Sequence, residues 1–227
     1  MIDCIILAGG AGTRLRSVVS DRPKPMAEIE GTPFLDLLIG QVKPIAKKII
    51  LAVGYLKDQI ITNYPHCSFS IEEYPLGTGG AIKKALSLTT TEHVLVMNGD
   101  SFLDFAFDPF FAAHLEKNAD MTLLYRELSD TSRYGILKIE GGQVVGFEEK
   151  KGGQGPINTG IYLLKSDLLK NLNLPETFSL EKEAFPLLLK KKIFALASSG
   201  FFIDIGTPES YYEAQSQLHP FINRFNL

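Results

Sequence analysis

Apolar residues along this 227-residue chain fall into short blocks with two alternating spacings. Cys4-Ile5-Ile6-Leu7-Ala8 is an unbroken apolar run that predicts a buried strand. Phe34, Leu35, Leu37, Leu38 and Val42 repeat at helical spacing, which predicts a helix over Phe34–Val42. Lys48–Val53 reads as a second buried strand, with a short helix beginning near Lys57. Phe69–Glu73 reads as a strand, Gly79–Leu88 as a helix, His93–Met97 as a buried strand, Asp108–Lys117 as a helix and Met121–Tyr125 as a strand. This βαβα rhythm predicts an α/β fold with a mainly parallel central sheet and helices on both faces, a three-layer Rossmann-like architecture. After residue 125 the rhythm changes. Gly135–Ile139, Val144–Glu148 and Thr159–Leu164 read as strands separated by Glu140-Gly141-Gly142 and 151–156, a small β-rich insertion. Phe178–Lys191 reads as a helix that Pro186 must bend or split. Phe201–Ile205 closes the strand series, and Pro208 opens a last helix to about Leu218. A single domain is expected, in three parts: about 1–125, 126–200 and 201–227.

The loops that follow the strands carry the chemistry, because ligands of such sheets sit at the strands' carboxyl ends. Gly9-Gly10-Ala11-Gly12 follows Leu7 and Ala8 directly. Successive turn N–H groups there make an anion-binding concavity that no Cβ obstructs. Thr13 adds a hydroxyl, and Arg14 adds a fork that fits phosphate oxygens. The Gly-Thr-Arg ending excludes the P-loop, which needs Gly-Lys-Ser/Thr. Leu15, where a third glycine is required, excludes the dinucleotide fingerprint. Lys24 sits between Pro23 and Pro25, which predicts a stiff extended segment. Asn98-Gly99-Asp100 ends a buried strand, and Asp204 lies between Ile203 and Ile205. Asp204 either caps the last helix, pairs with a cation, or joins Asp100 in holding Mg²⁺, which takes one or two carboxylates plus substrate phosphates. Gly77, Thr78 and Gly79-Gly80 offer close approach and a helix N-terminus to a flat ligand. The acidic pair Glu72-Glu73 precedes them. A carboxylate accepts from guanine N1 and N2, whereas uracil suits an amide better, so either glutamate favours GTP.

The stretch Leu7–Arg16 followed by Pro23-Lys24-Pro25-Met26 resembles the signature of the sugar-1-phosphate nucleotidyltransferases, and the resemblance runs from Ile5 to about Tyr212. It implies a nucleoside triphosphate and a sugar 1-phosphate as substrates. It implies Arg14 and Lys24 on the phosphates, with Arg14, Lys24 and Asp100 as the catalytic set, and Asp100 with Asp204-Ile205-Gly206-Thr207 at a Mg²⁺ site. It implies nucleotide contacts from Leu7, Ala8, Gly9, Gly10, Gly12 and Thr13 and from Gly99. It also implies sugar-phosphate contacts from Gly135, Glu149, Lys150, Asn158 and Thr159. Proline usually follows that lysine in the family, but Lys151 stands here and competes for its role. The segments Glu72–Ala81, Ser132–Gly135 and Gly200–Pro208 most resemble members that guanylylate a heptose 1-phosphate for bacterial surface polysaccharide. Alternatives are a mannose 1-phosphate guanylyltransferase, an N-acetylmuramate 1-phosphate uridylyltransferase, or a silent sugar-nucleotide sensor.

Composition narrows the field further. The formal net charge is −3, unlike the basic balance of nucleic-acid binders. Local cations must therefore meet any anionic substrate. No apolar run reaches membrane-span length, and Met1-Ile2-Asp3 has no basic leader, so a cytoplasmic protein is expected. Cys4 and Cys67 read as free thiols. The Phe221–Phe225 tail docks either on a neighbouring copy, making a homodimer, or on its own domain.

Overall fold

The computed structural model describes residues 1–148 and 152–227. Its elements in order are β1 (Ile2–Leu7), β2 (Glu28–Ile29), β3 (Thr32–Pro33), α1 (Phe34–Val42), β4 (Ala46–Val53), α2 (Lys57–Asn63), β5 (Ser68–Ile71), α3 (Gly77–Leu86), β6 (His93–Asn98), β7 (Ser101–Leu103) and α4 (Phe107–Glu116). They continue with β8 (Met121–Leu128), β9 (Ile136–Glu140), β10 (Gln143–Glu148), β11 (Gly155–Lys165), a π-helical turn (Leu180–Ala184), α5 (Phe185–Leu188), β12 (Ile193–Ala197), β13 (Phe202–Asp204), α6 (Pro208–Gln217) and α7 (His219–Phe225).

Among the described residues, nine strands form one sheet in the order β5-β4-β1-β6-β11-β8-β12-β10-β9. The predicted parallel arrangement holds for β5, β4, β1 and β6, and for β8 with β12. β11 runs antiparallel between β6 and β8, and β10 is antiparallel to both β9 and β12. The predicted β-rich insertion is thus continuous with the main sheet and extends its far edge. Side chains of β1 alternate across the sheet: Cys4 and Ile6 enter one apolar cluster, Ile5 the other. α1, α4, α6 and α7 cover the first face with Leu37, Leu38, Phe110, Ala214 and Ile222. α3, the π-turn and α5 cover the second with Ile82, Ala85, Leu180, Phe185 and Leu188. Each such fully buried Leu, Ile or Phe contributes about 1.5–3 kcal/mol, and the two faces together make three layers.

Lys24–Met26, Ile193–Ala197 and β13 add to or depart from the sequence expectation, whereas Phe178–Lys191 splits as expected. Pro23 is extended, but Lys24–Met26 forms a 3₁₀ turn instead of continuing straight. Proline is tolerated in a first helical turn, where its missing N–H costs nothing. Phe178–Lys191 is divided into the π-turn and α5, with Pro186 in the opening turn of α5. Ile193–Ala197 is a strand that the short apolar run did not announce. β13 lies outside the large sheet and pairs antiparallel with β7, setting Asp204 opposite Ser101. The tail is helical and packs on its own domain, with the Phe221 ring centroid 4.7 Å from that of Phe102. Both cysteines are free and buried, and burial pushes the Cys4 thiol up to about 12. Among the described residues, no helix is long and apolar enough to cross a membrane.

Candidate active site

A cleft of about 710 Å³ opens at the carboxyl ends of β1, β4, β5 and β6. The segment after β1 is held by one apolar anchor. Leu15 is buried, and its N–H donates to the Gly12 carbonyl at 3.0 Å, which leaves Thr13 and Arg14 exposed in the cleft. Gly12 adopts φ +59, and an added Cβ would lie 2.9 Å from Lys24 Cβ. The loop and Lys24 therefore touch because residue 12 has no side chain. Lys24 Nζ donates to Asp100 Oδ2 at 2.7 Å and is itself largely shielded from solvent. The Gly99 N–H donates to the Leu7 carbonyl at 3.0 Å, so β6 delivers Asp100 beside the glycine loop.

The predicted nucleotide positions Leu7, Gly9, Gly10, Gly12, Thr13, Arg14, Lys24, Glu72, Glu73, Gly77, Thr78 and Gly99 all line this cleft, as does Asp100. Ala8 does not: it is buried, and its N–H donates to the Ala52 carbonyl at 2.7 Å. The acidic pair divides. Glu72 accepts from the Leu76 N–H at 3.1 Å through Oε2, and Oε1 lies against Gly9. Burial holds its carboxyl above the usual range. Glu73 points outward and pairs with Lys57 Nζ at 3.6 Å. Thr78 lines the cleft, yet its hydroxyl donates to Glu181 Oε2 at 2.8 Å and accepts from the Leu180 N–H at 2.9 Å. It ties α3 to the π-turn.

The sugar-side positions form a second group. The Asn158 N–H donates to the Gly135 carbonyl at 3.4 Å. Asn158 Nδ2 donates to Tyr162 Oη at 2.7 Å, and Tyr162 Oη donates to Glu181 Oε1 at 3.1 Å. A Cβ at Gly135 would collide with the Phe147 ring. Thr159 is buried, with Oγ1 donating to the Leu124 carbonyl at 2.7 Å. Its carbonyl accepts from Ser101 Oγ at 3.1 Å, next to Asp100. A smaller cleft of about 340 Å³ adjoins this group, lined by Phe147, Glu181 and Phe185 among others. Glu149, Lys150 and its competitor Lys151 lie outside the described residues.

Asp204 reaches the same region through β13, since the Ile205 N–H donates to the Asp100 carbonyl at 2.9 Å. Its Oδ1 accepts from Arg133 Nη2 at 2.5 Å and from the Gly206 N–H at 2.7 Å, and its Oδ2 accepts from the Tyr134 hydroxyl. Burial, and then the hydrogen bond to Asp204 and its charge, raise the Tyr134 phenol above its ordinary value. Two carboxylates on adjacent backbones are a hard-oxygen donor pair of the kind Mg²⁺ takes alongside phosphates. Among the described residues no group of three or more His, Cys, Asp or Glu could hold a metal by itself.

Sequence reasoning missed Tyr55, Lys57, Tyr74 and Asn98 in the lining. Tyr55 and Lys57 follow the buried strand ending at Val53, so the strand-end rule that located Gly9–Arg14 applies to them too. Arg133 was marked only as part of the Ser132–Gly135 segment, with no role given, and Glu181 carried no signal: a charged residue on a helix face is ordinarily solvated.

Similarity to known proteins now bears on this geometry. The chain belongs to the nucleotidyl transferase family, whose model matches residues 3–220. A D-glycero-α-D-manno-heptose 1-phosphate guanylyltransferase of Aneurinibacillus thermoaerophilus is 38% identical across 97% of this chain and 100% of its own length. The protein of that name from Campylobacter jejuni is 41% identical across 93% and 97%. Mannose-1-phosphate guanyltransferase beta-B of Xenopus laevis is 32% identical, and the match covers 62% of that protein. The crystal structure of HddC from Yersinia pseudotuberculosis superposes with a TM-score of 0.86 at 36% identity, covering 96% of this chain and all of that one. The same protein complexed with GMP-PN gives a TM-score of 0.85.

Proposed function

We propose that this chain joins GTP and D-glycero-α-D-manno-heptose 1-phosphate into GDP-heptose and pyrophosphate, for bacterial surface polysaccharide, in the cytoplasm. The observation that carries the guanine half is Glu72: a half-buried acceptor on the cleft wall, with Oε1 facing the space beside Gly9. It matches the N1 and N2 donors of guanine, which uracil lacks. The heptose half rests on the full-length similarity to the two heptose enzymes.

A phosphate oxygen of the sugar 1-phosphate attacks the α-phosphorus of GTP in line. The new P–O bond forms as the bond to the bridging oxygen breaks, and pyrophosphate leaves with those electrons. The nucleophile is already an anion, so no general base is needed. The histidines agree: His93 and His114 hydrogen-bond each other at 2.9 Å, and His219 pairs with Glu30. Positioning and charge neutralisation are the main tasks. The backbone of Gly9–Thr13 with Arg14 and Lys24 holds the triphosphate. Gly135, Glu149, Lys150, Asn158 and Thr159 form the sugar-phosphate side. There Asn158 holds Tyr162 and the Gly160 N–H through its amide, Thr159 braces Ser101 beside Asp100, and Lys150 supplies the cation. Asp100 and Asp204 would hold Mg²⁺, which when bound neutralises phosphate charge. The active unit is proposed without nucleic acid or membrane.

Pyrophosphate release with Mg²⁺ and heptose 1-phosphate, compared across GTP, UTP, CTP, ATP and dTTP, tests the nucleotide assignment. The expected result is turnover with GTP at least about tenfold above the others. Preference for UTP or dTTP would overturn it, and nucleotide binding without release would support the sensor.

A further inference from the structure

We infer that Arg133 is an exchangeable counter-ion of Asp204, competing with a divalent cation for that carboxylate, and that Tyr134 is its positioning partner. The inference rests on the metal site proposed above. Three donors meet the Asp204 carboxylate: Arg133 Nη2, the Gly206 N–H and the Tyr134 hydroxyl. The Gly206 bond is part of the backbone turn, whereas the other two come from one loop between β8 and β9 and can leave together. Arg133 is not fixed by its remaining contacts. Among the described residues, its Nε is buried with no hydrogen-bond partner, and Nη2 has only Ser210 Oγ, at 3.2 Å, besides Asp204. Its guanidinium lies 5.6 Å from the Tyr134 ring centroid, so the two side chains form one stacked unit. A guanidinium is planar and weakly hydrated, and it serves carboxylate and phosphate equally well.

The surroundings say where Arg133 goes when it exchanges. A Cβ placed on Gly206 would lie 3.6 Å from Arg133 Nη2 and 3.6 Å from Arg14 Nη2. Two guanidinium groups thus converge on a glycine that lines the phosphate cleft. Asp100 carries the analogous pairing with Lys24. Each carboxylate of the proposed metal pair therefore has a side-chain cation that a phosphate can take over when the dication takes the carboxylate. Dication binding and phosphate binding are coupled by this swap: the dication frees Arg133, and the phosphate retains it.

The test is direct Mn²⁺ binding, read by the loss of the free-ion EPR signal beyond that caused by nucleotide alone, with the α,β-methylene analogue of GTP present, whose α–β bridge cannot be cleaved. Four proteins are compared: the parent chain, Arg133→Met, Tyr134→Phe and Asp204→Asn. Removing a fixed positive charge from beside the site should tighten Mn²⁺ in Arg133→Met by about tenfold, with a smaller gain in Tyr134→Phe. The same Arg133→Met protein should bind inorganic pyrophosphate at least about tenfold more weakly. A residue that merely braced Asp204 would give the opposite sign, with weaker Mn²⁺ binding in Arg133→Met, and that result overturns the inference. Unchanged Mn²⁺ binding in both variants overturns it too. Parent protein that binds no Mn²⁺, or binds it equally in Asp204→Asn, defeats the metal site itself and the exchange with it. Tyr134→Phe keeps the ring and its contact with Phe202, so it reports even if Arg133→Met folds poorly.

Discussion

Gly12→Ala perturbs the contact on which the glycine-rich loop depends. Gly12 has φ +59, a left-handed conformation that costs an alanine about 1–2 kcal/mol. The added Cβ would sit 2.9 Å from Lys24 Cβ. Carbon atoms rest about 3.5–4.0 Å apart, so loop and lysine must separate by about 0.6–1 Å. Lys24 cannot retreat freely, because its Nζ holds Asp100 Oδ2 at 2.7 Å and its backbone is set in a turn between two prolines. The melting temperature should fall by about 2–8 °C, at about 2–4 °C per kcal/mol for a chain of this size. A displacement near 1 Å should lower kcat/KM for GTP about 10²-fold. Differential scanning calorimetry and a coupled pyrophosphate assay read the two effects. Gly10→Ala is the control for stability: a Cβ there meets nothing within 4 Å, and the residue is not among the positive-φ glycines. Its melting temperature should stay within about 2 °C of the parent, since substitutions without such a contact are usually within about 0.5 kcal/mol. If Gly12→Ala matches Gly10→Ala in stability and keeps full activity, the loop–lysine contact is not what sets the site.

Asp100→Asn should keep the fold, because the side chain is 41% exposed, and should lower kcat at least about 10²-fold. Circular dichroism and pyrophosphate release separate the two effects, and near-normal turnover would remove Asp100 from the proposed catalytic set. Glu72→Gln should reduce the GTP-over-UTP ratio of kcat/KM about tenfold or more, since a charged acceptor gains about 1 kcal/mol per bond over a neutral one. The same change at Glu73 should do little, and equal effects would contradict the division of the pair. His114 titrates near 4 because burial, and then His93, oppose its charge, with Lys165 opposing and Asp120 favouring it. The unfolded chain takes up that proton near 6.5, so it binds more protons in between, and stability rises with pH across this window. The unfolding free energy from urea titrations should be highest above pH 6.5 and fall towards pH 4, by at most about 3 kcal/mol in all. A flat profile, or one that His114→Gln does not flatten, would contradict it.

Most of the positions that line the cleft were legible from sequence because they are local. Gly9–Arg14 and Asn98–Asp100 sit at the ends of unbroken apolar runs, and the strand-end rule brings them together without further information. Which glutamate faces the cleft was not legible, since a strand places neighbouring side chains on opposite faces and the strand ends at Ile71, just before the pair. Thr78 and Thr159 show the limit of type and spacing alone. Both hydroxyls are turned inward to partners more than thirty residues away in sequence, Glu181 and Leu124. The pairing of β13 with β7, which brings Asp204 to Asp100, is likewise a contact between segments about 100 residues apart. Ile193–Ala197 escaped notice because five small or apolar residues after a lysine run fit strand and helix equally.

The most direct measurement supplies the purified enzyme with GTP, Mg²⁺ and equal concentrations of D-glycero-α-D-manno-heptose 1-phosphate and mannose 1-phosphate. Phosphorus NMR and mass spectrometry then identify the nucleotide-sugar formed. The account requires GDP-heptose and pyrophosphate in equal amounts, with GDP-mannose at least about tenfold lower. GDP-mannose as the main product, or GTP consumed without any nucleotide-sugar, would contradict it.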